Sequence, residues 1–243
     1  MDPLIAALVI TGAYLWGAVP SSYLVGRYRK GIDIRRYGSG NVGATNLMAH
    51  VGKRTGFMVG VFDCLAKGTL PVVLARILDT GDAVQAAAGL AAIVGHSWSP
   101  YIRFTGGRGV ATAIGVLFGS LMWPEMLILT VVLGGIGRLV FHDTGFWTFI
   151  SLLALPLLVF IFDSFIFDRP PETLAMALGI GVLLLAKRLT ANWERPDSRY
   201  PVMRVLAFRA LWDRDVPRKL QWTDRRPTGE GGLADDVGNP VLR

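Results

Sequence analysis

Seven apolar runs, each close to the length needed to cross a bilayer, constrain this chain more than anything else in it. A helix rises about 1.5 Å per residue and the hydrocarbon core is about 30 Å thick, so a span takes about 20 apolar residues. Residues 4–25, 56–78, 83–102, 110–122, 126–141, 146–162 and 173–189 meet that demand or come near it. The fourth and fifth runs are short and contain glycine, which predicts broken helices or helices shielded by neighbours. Because backbone polar groups in hydrocarbon must be satisfied within the segment, the expected fold is all-α: a polytopic helical membrane protein. Composition agrees, since 52% hydrophobic and only 18% charged residues leave too few charges to coat a soluble sphere of 243 residues. The first run has no basic segment before it and no small-residue cleavage site after it, so it reads as a retained helix and not a signal peptide.

Charge sets the expected orientation. The loop between the first two runs carries Arg27, Arg29, Lys30, Arg35, Arg36, Lys53 and Arg54 against the single acid Asp33, and such an excess marks the cytoplasmic side. Alternation then places Asp2, Asp79, Asp82, Glu125, Asp163, Asp168 and Glu172 outside with one base, Arg169. The N-terminus is expected outside and the C-terminus in the cytoplasm. The net charge of +7 is thus largely a matter of topology, and a nucleic-acid partner is not expected. One cysteine, Cys64, excludes an internal disulfide and a multi-cysteine zinc site, and three scattered histidines (His50, His96, His142) argue against a metal centre.

Two units follow: a transmembrane domain over residues 1–191 and a cytoplasmic tail over 192–243. The tail holds ten basic residues, eight acidic ones and five prolines. Residues 204–212 are expected to form a basic amphipathic helix on the inner membrane surface, burying Val205, Phe208, Leu211 and Trp212. Disorder is expected from residue 225 onward.

Two glycine-rich loops face the expected cytoplasmic side. The first reads Gly38-Ser39-Gly40-Asn41-Val42-Gly43-Ala44-Thr45-Asn46. Its three glycines permit positive φ and close approach of a ligand, successive amides can form an anion nest, and Ser39, Asn41, Thr45 and Asn46 offer side-chain hydrogen bonds. In the second, Gly106-Gly107-Arg108-Gly109 immediately precedes the fourth run, so its amides would lie at a helix N-terminus where phosphate binds favourably. Arg108 adds a permanently charged, bidentate clamp. Asp63 and Lys67, four residues apart inside the second run, share a helix face and can pair. His96 lies beside Gly95 at the end of the third run, within reach of the same side. No Gly-x-Ser-x-Gly elbow, no phosphate loop ending in Gly-Lys-Ser/Thr and no His with Asp five residues later is present. Two anion-binding loops on one membrane face imply phosphate-bearing ligands met beside lipid.

At these loops the chain resembles the bacterial acyl-phosphate:glycerol-3-phosphate acyltransferase family over about residues 12–194. The matching elements are the 38–46 loop, Gly52-Lys53, Phe62-Asp63 with Lys67-Gly68 and Leu70-Pro71, Gly95-His96, and the stretch from Gly106 to Thr112. One extra residue separates Asp63 from Lys67. The resemblance implies a seven-span protein of the bacterial inner membrane with its site facing the cytoplasm. It implies transfer of a fatty acyl group from acyl phosphate to glycerol 3-phosphate, giving lysophosphatidic acid, with no acyl-CoA, no metal and no other cofactor. Ser39, Asn41 and Arg108 would then be catalytic, while Gly38, Gly40, Gly43, Thr45, Asn46, Lys53, Asp63, Lys67, His96, Gly106, Gly107 and Gly109 would bind substrate. The partners are acyl phosphate, glycerol 3-phosphate and membrane lipid. The chain departs from the family pattern at Ala49 (arginine in the pattern), Val182 (histidine), Leu185 (asparagine) and Asn192 (glycine), and keeps Arg188-Leu189 and Glu194. These departures leave two other readings open: a divergent paralogue with another acceptor, and a non-catalytic membrane protein that binds lipid or anions.

Overall fold

Helix α1 (Pro3–Gly17) starts at Asp2, whose carboxylate accepts the Leu4 amide at 2.9 Å, with Pro3 in the first turn where an N–H is not needed. The computed structural model describes residues 2–215, and the expected disorder from residue 225 lies outside the described residues. The first apolar run is not one helix as expected. Pro20 lacks an N–H and cannot continue the ladder, so α1 stops and α2 (Ser21–Lys30) restarts after it. Gly31, at φ 67°, ends α2 as a left-handed C-cap.

After a short helix α3 (Ala44–His50), α4 (Lys53–Phe62) runs into a π-helical stretch, Asp63–Thr69, and on into α5 (Leu70–Ile77). A π turn closes i→i+5 and holds one residue more than an α turn. Asp63 and Lys67 both lie in this stretch. Helix α6 (Asp82–Ser97) follows a turn secured by Thr80 Oγ1 donating to the Ala75 carbonyl at 2.9 Å. A loop folded on itself by the Ser99–Thr105 bridge leads to α7 (Val110–Gly119), then α8 (Trp123–Thr130), which continues as a second π-helical stretch, Val131–Val140. Helix α9 (Thr144–Phe165) is capped by Asp143, and α10 (Pro171–Thr190) and α11 (Val202–Trp212) complete the described fold.

Among the described residues the fold is all-helical apart from one isolated bridge, and four segments are long and apolar enough to cross a membrane: Pro3–Lys30, Lys53–Ile77, Thr144–Phe165 and Pro171–Trp193. The fourth and fifth runs form shorter apolar helices, as their length suggested. Apolar residues facing outward, among them Leu8, Met58, Ile77, Phe160 and Leu178, suit contact with lipid rather than water.

Glycines let the helices approach closely. A Cβ on Gly95 would overlap the Tyr14 carbonyl of α1, and one on Gly68 would overlap the Thr112 carbonyl of α7. The main core joins α5 to α10 through Val72, Ile93, Val116, Leu155, Val159 and Ile180. A second cluster of Ile34, Tyr37, Val42, Leu47, Val59 and Ile102 supports the first glycine loop. At the far end of α9, Arg169 is paired with the fully buried Glu125 and with Asp163.

Helix α11 buries Val205, as its amphipathic pattern leads one to expect, and leaves Val202 and Met203 exposed. It packs on α9 and α10, with Val205 and Arg209 buried and Trp212 stacked on Phe146.

Candidate active site

Both glycine loops line one cavity of about 680 Å³, together with α3, the C-terminal end of α11 and the start of α9. The first loop is held from inside. Asn46 Nδ2 donates to the carbonyls of Ile34, Tyr37 and Asn41 at 3.2, 3.0 and 3.0 Å. Gly38 and Gly40 take φ values of 52° and 67°, the left-handed region that glycine enters without penalty. Behind Gly40 sits the Glu194 carboxylate, with Oε1 only 2.6 Å from where a Cβ would be. Upstream, Asp33 accepts from Arg35 at 2.7 Å, and that guanidinium holds the Asp33 carboxyl below the usual carboxylate range.

Three amides of this loop are engaged within the protein. The Gly40 amide donates to the Tyr37 carbonyl at 2.9 Å, Val42 to the Gly106 carbonyl at 3.3 Å, and Asn41 to Ser39 Oγ at 3.4 Å. Likewise the Gly106 amide donates to Asn192 Oδ1 at 2.9 Å and the Gly107 amide to the His96 carbonyl at 3.1 Å. These five amides tie the loops together, because a buried N–H is satisfied by whatever acceptor folding brings near. Asn46 also lines the cavity while its Nδ2 is engaged by the carbonyls of Ile34, Tyr37 and Asn41.

Side chains remain available. Ser39, Asn41 and Thr45 line the cavity, and Asn41 Oδ1 is buried with no hydrogen-bond partner among the described residues. Gly43 and Gly109 also line it, and a Cβ on Gly43 would come within 2.8 Å of Asn41 Nδ2. Lys53 does not: it is exposed at the start of α4, away from the cavity lining.

Beneath the loops lies a buried polar cluster. Lys67 Nζ is 2.7 Å from Asp63 Oδ1, as their spacing predicts, and both side chains are 1% exposed. Ser21, delivered by the break at Pro20, donates to Asp63 Oδ1 at 2.6 Å and accepts from Lys67 at 2.9 Å. His96 Nδ1 lies 4.0 Å from Asp63 Oδ2, and its imidazole packs where a Cβ of Gly107 would be. Asp63 and His96 reach the cavity wall.

Three arginines line the cavity: Arg108 of the second glycine loop, Arg188, which the family pattern keeps, and Arg214, which no motif marks. Arg108 Nε lies 2.6 Å from Asp213 Oδ1. Arg188 donates to the carbonyls of Ala210 at 2.8 Å and Gly145 at 3.0 Å. Arg214 pairs with Asp143 at 3.5 Å. Asn192 went unrecognised although it joins the loops: besides Gly106, it donates to the Gly40 carbonyl at 3.3 Å and accepts from the buried Lys187 at 2.6 Å. A signal existed, since Asn192 stands at a glycine position of the family pattern and has φ 57°, a conformation asparagine tolerates better than most residues. Of the other departures, Ala49 lines the cavity, whereas Val182 is 67% exposed and neither it nor Leu185 does. No group of three or more histidine, cysteine, aspartate or glutamate side chains able to hold a metal ion occurs among the described residues.

The arrangement matches known proteins along most of the chain. A profile described as glycerol-3-phosphate acyltransferase matches residues 7–195. Glycerol-3-phosphate acyltransferase 5 of Dehalococcoides mccartyi (strain ATCC BAA-2266 / KCTC 15142 / 195) is 35% identical over 228 residues, covering 91% of this chain and 94% of the relative. Glycerol-3-phosphate acyltransferase 4 of Dehalococcoides mccartyi (strain CBDB1) is 36% identical over 232 residues, covering 93% and 95%. Among solved structures, the glycerol 3-phosphate form of PlsY (YgiH), an integral membrane glycerol 3-phosphate acyltransferase, superimposes with a TM-score of 0.68 at 32% identity, covering 76% of this chain and 88% of that one. Its lysophosphatidic acid form gives a TM-score of 0.65 at 29% identity, covering 80% and 97%. By family profile, sequence identity and fold, the chain belongs to the glycerol-3-phosphate acyltransferase family.

Proposed function

We propose that this protein transfers a fatty acyl group from acyl phosphate to the first hydroxyl of glycerol 3-phosphate, releasing lysophosphatidic acid and inorganic phosphate. The observation that carries the reading is the single cavity lined by both glycine loops, three arginines and the partnerless Asn41 oxygen. The hydroxyl oxygen of glycerol 3-phosphate bonds to the acyl carbon while the bond from that carbon to the phosphate oxygen breaks. Phosphate leaves with the electron pair, and a phosphate oxygen accepts the hydroxyl proton. A mixed anhydride is already activated, so the protein supplies mainly positioning and charge stabilisation.

Ser39, Asn41 and Thr45 orient one phosphate, and Arg108 at the start of α7 holds the other. Gly38, Gly40, Gly43, Gly106, Gly107 and Gly109 shape the loops, and the Asp63, Lys67 and His96 cluster supports them from below. Val110 and Ile114 line the same cavity as the outward-facing Phe57, which suits an acyl chain lying between helices in contact with lipid. Seven spans, an external N-terminus and a site open to the cytoplasm of a bacterial inner membrane complete the reading, supported by the loop charges.

The test is purified protein with palmitoyl phosphate and labelled glycerol 3-phosphate. Labelled lysophosphatidic acid is expected. No product with this pair, but product with another hydroxylated acceptor, would overturn the acceptor assignment.

A further inference from the structure

We propose that the segment after the profile-matched region supplies a substrate ligand: Arg214 binds a phosphate oxygen of one of the two substrates. The inference rests on the acyl-phosphate reading in taking the cavity's ligands to be phosphate-bearing. The region matched by the family profile ends at residue 195, yet Trp212, Asp213 and Arg214 line the cavity.

The wall they form is anchored. Arg209 is buried, pairs with both oxygens of Asp215 at 2.6 and 2.7 Å, and donates to the carbonyls of Leu189 at 3.1 Å and Glu194 at 3.0 Å. Asp213 ends α11 at φ 57°, and that left-handed turn sends the chain back along the cavity. The position of Arg214 is therefore set by buried contacts rather than by a free tail.

The three arginines facing the cavity differ in commitment. The Arg188 guanidinium donates to two carbonyls and the Arg108 guanidinium holds Asp213 at 2.6 Å. Arg214 has only a long ion pair, 3.5 Å to Asp143 Oδ2, outside ordinary hydrogen-bond range. Asp143 meanwhile uses Oδ1 to cap α9, accepting from the amides of Gly145 and Phe146 at 3.0 and 3.2 Å. A phosphate oxygen can take over Arg214 without breaking that cap. Ala49 adds only a methyl group to the lining.

The experiment compares the full-length wild type with Arg214→Gln, Arg214→Lys and Arg199→Ala, measuring KM for glycerol 3-phosphate and for palmitoyl phosphate separately. Arg214→Gln is expected to raise KM for one substrate about tenfold, the effect of losing one charge-assisted hydrogen bond, with kcat much less affected. The substrate whose KM rises is the one Arg214 holds. Arg214→Lys should recover part of the loss, and Arg199→Ala, on the same segment but exposed, should behave as wild type. Both KM values unchanged in Arg214→Gln, or a loss of thermal stability without a KM change, would overturn the proposal while leaving the reaction intact. An inactive wild type would overturn the reaction instead. In that event, protection against thermal unfolding by glycerol 3-phosphate and by inorganic phosphate decides on Arg214: protection lost in Arg214→Gln supports it, and equal or no protection sinks it.

Discussion

Asp213 Oδ1 lies 2.6 Å from Arg108 Nε, joining the residue that ends α11 to the glycine loop that begins α7. The two are 105 residues apart in sequence (213 − 108 = 105), and their ion pair makes the C-terminal segment part of the cavity wall.

Arg108 is expected to dominate the electrostatics of transfer. Arg108→Ala should lower kcat/KM by about 10²–10³, the range found when one preorganised donor to a transition-state anion is removed. Arg108→Lys should retain more activity, because the charge persists while the bidentate geometry is lost. Steady-state kinetics in detergent check this, and equal loss in both variants would point to geometry alone.

The Asp63–Lys67 pair should behave as a buried unit. Asp63→Asn or Lys67→Met alone leaves one polar partner stranded at 1% exposure and is expected to cost about 3–5 kcal/mol. The double variant should recover much of that loss. Thermal denaturation of the three proteins measures it, and additive single losses would show that the two side chains are not coupled.

Close packing of α7 on the π-helical stretch predicts sensitivity at glycine. Gly68→Ala places a methyl group against the Thr112 carbonyl, and Gly115→Ala places one against that of Cys64. Each should destabilise by about 1–3 kcal/mol through overpacking. Gly12→Ala, with open space around the added Cβ, is the matched control and should be near neutral.

Asn192 separates backbone conformation from bridging. Asn192→Gly keeps the left-handed turn but loses the hydrogen bonds to Gly40 and Gly106, so kcat/KM should fall while the protein still folds. Asn192→Val loses both and should also melt earlier, since a β-branched residue at φ 57° is strained. Activity and melting temperature measured together distinguish the two variants. Wild-type activity in Asn192→Gly would show that the bridge does not position the loops.

Hydrophobic runs and local chemistry already specify much of this protein. Run length locates the long helices, though not the break at Pro20, the glycines mark where backbone can turn left-handed, and the four-residue spacing of Asp63 and Lys67 puts them on one face. These features depend on residues within a few positions of each other, so they are legible without the fold. The functions of polar groups were less legible. Asn46 and the loop amides read as anion ligands, yet their partners are the carbonyls of Ile34, Tyr37, Asn41, Gly106 and His96. Whether a donor faces a ligand or a neighbouring carbonyl depends on which segments packing brings within 3 Å. Asn192 meets Gly106 across 86 residues, and Arg214 enters the cavity from outside the profile-matched region. The sequence by itself determined the helices, the glycine loops and the local ion pair. Only the tertiary structure decided which polar atoms face the cavity, because close packing of α6, α7, α10 and α11 sets those distances and no local pattern encodes them.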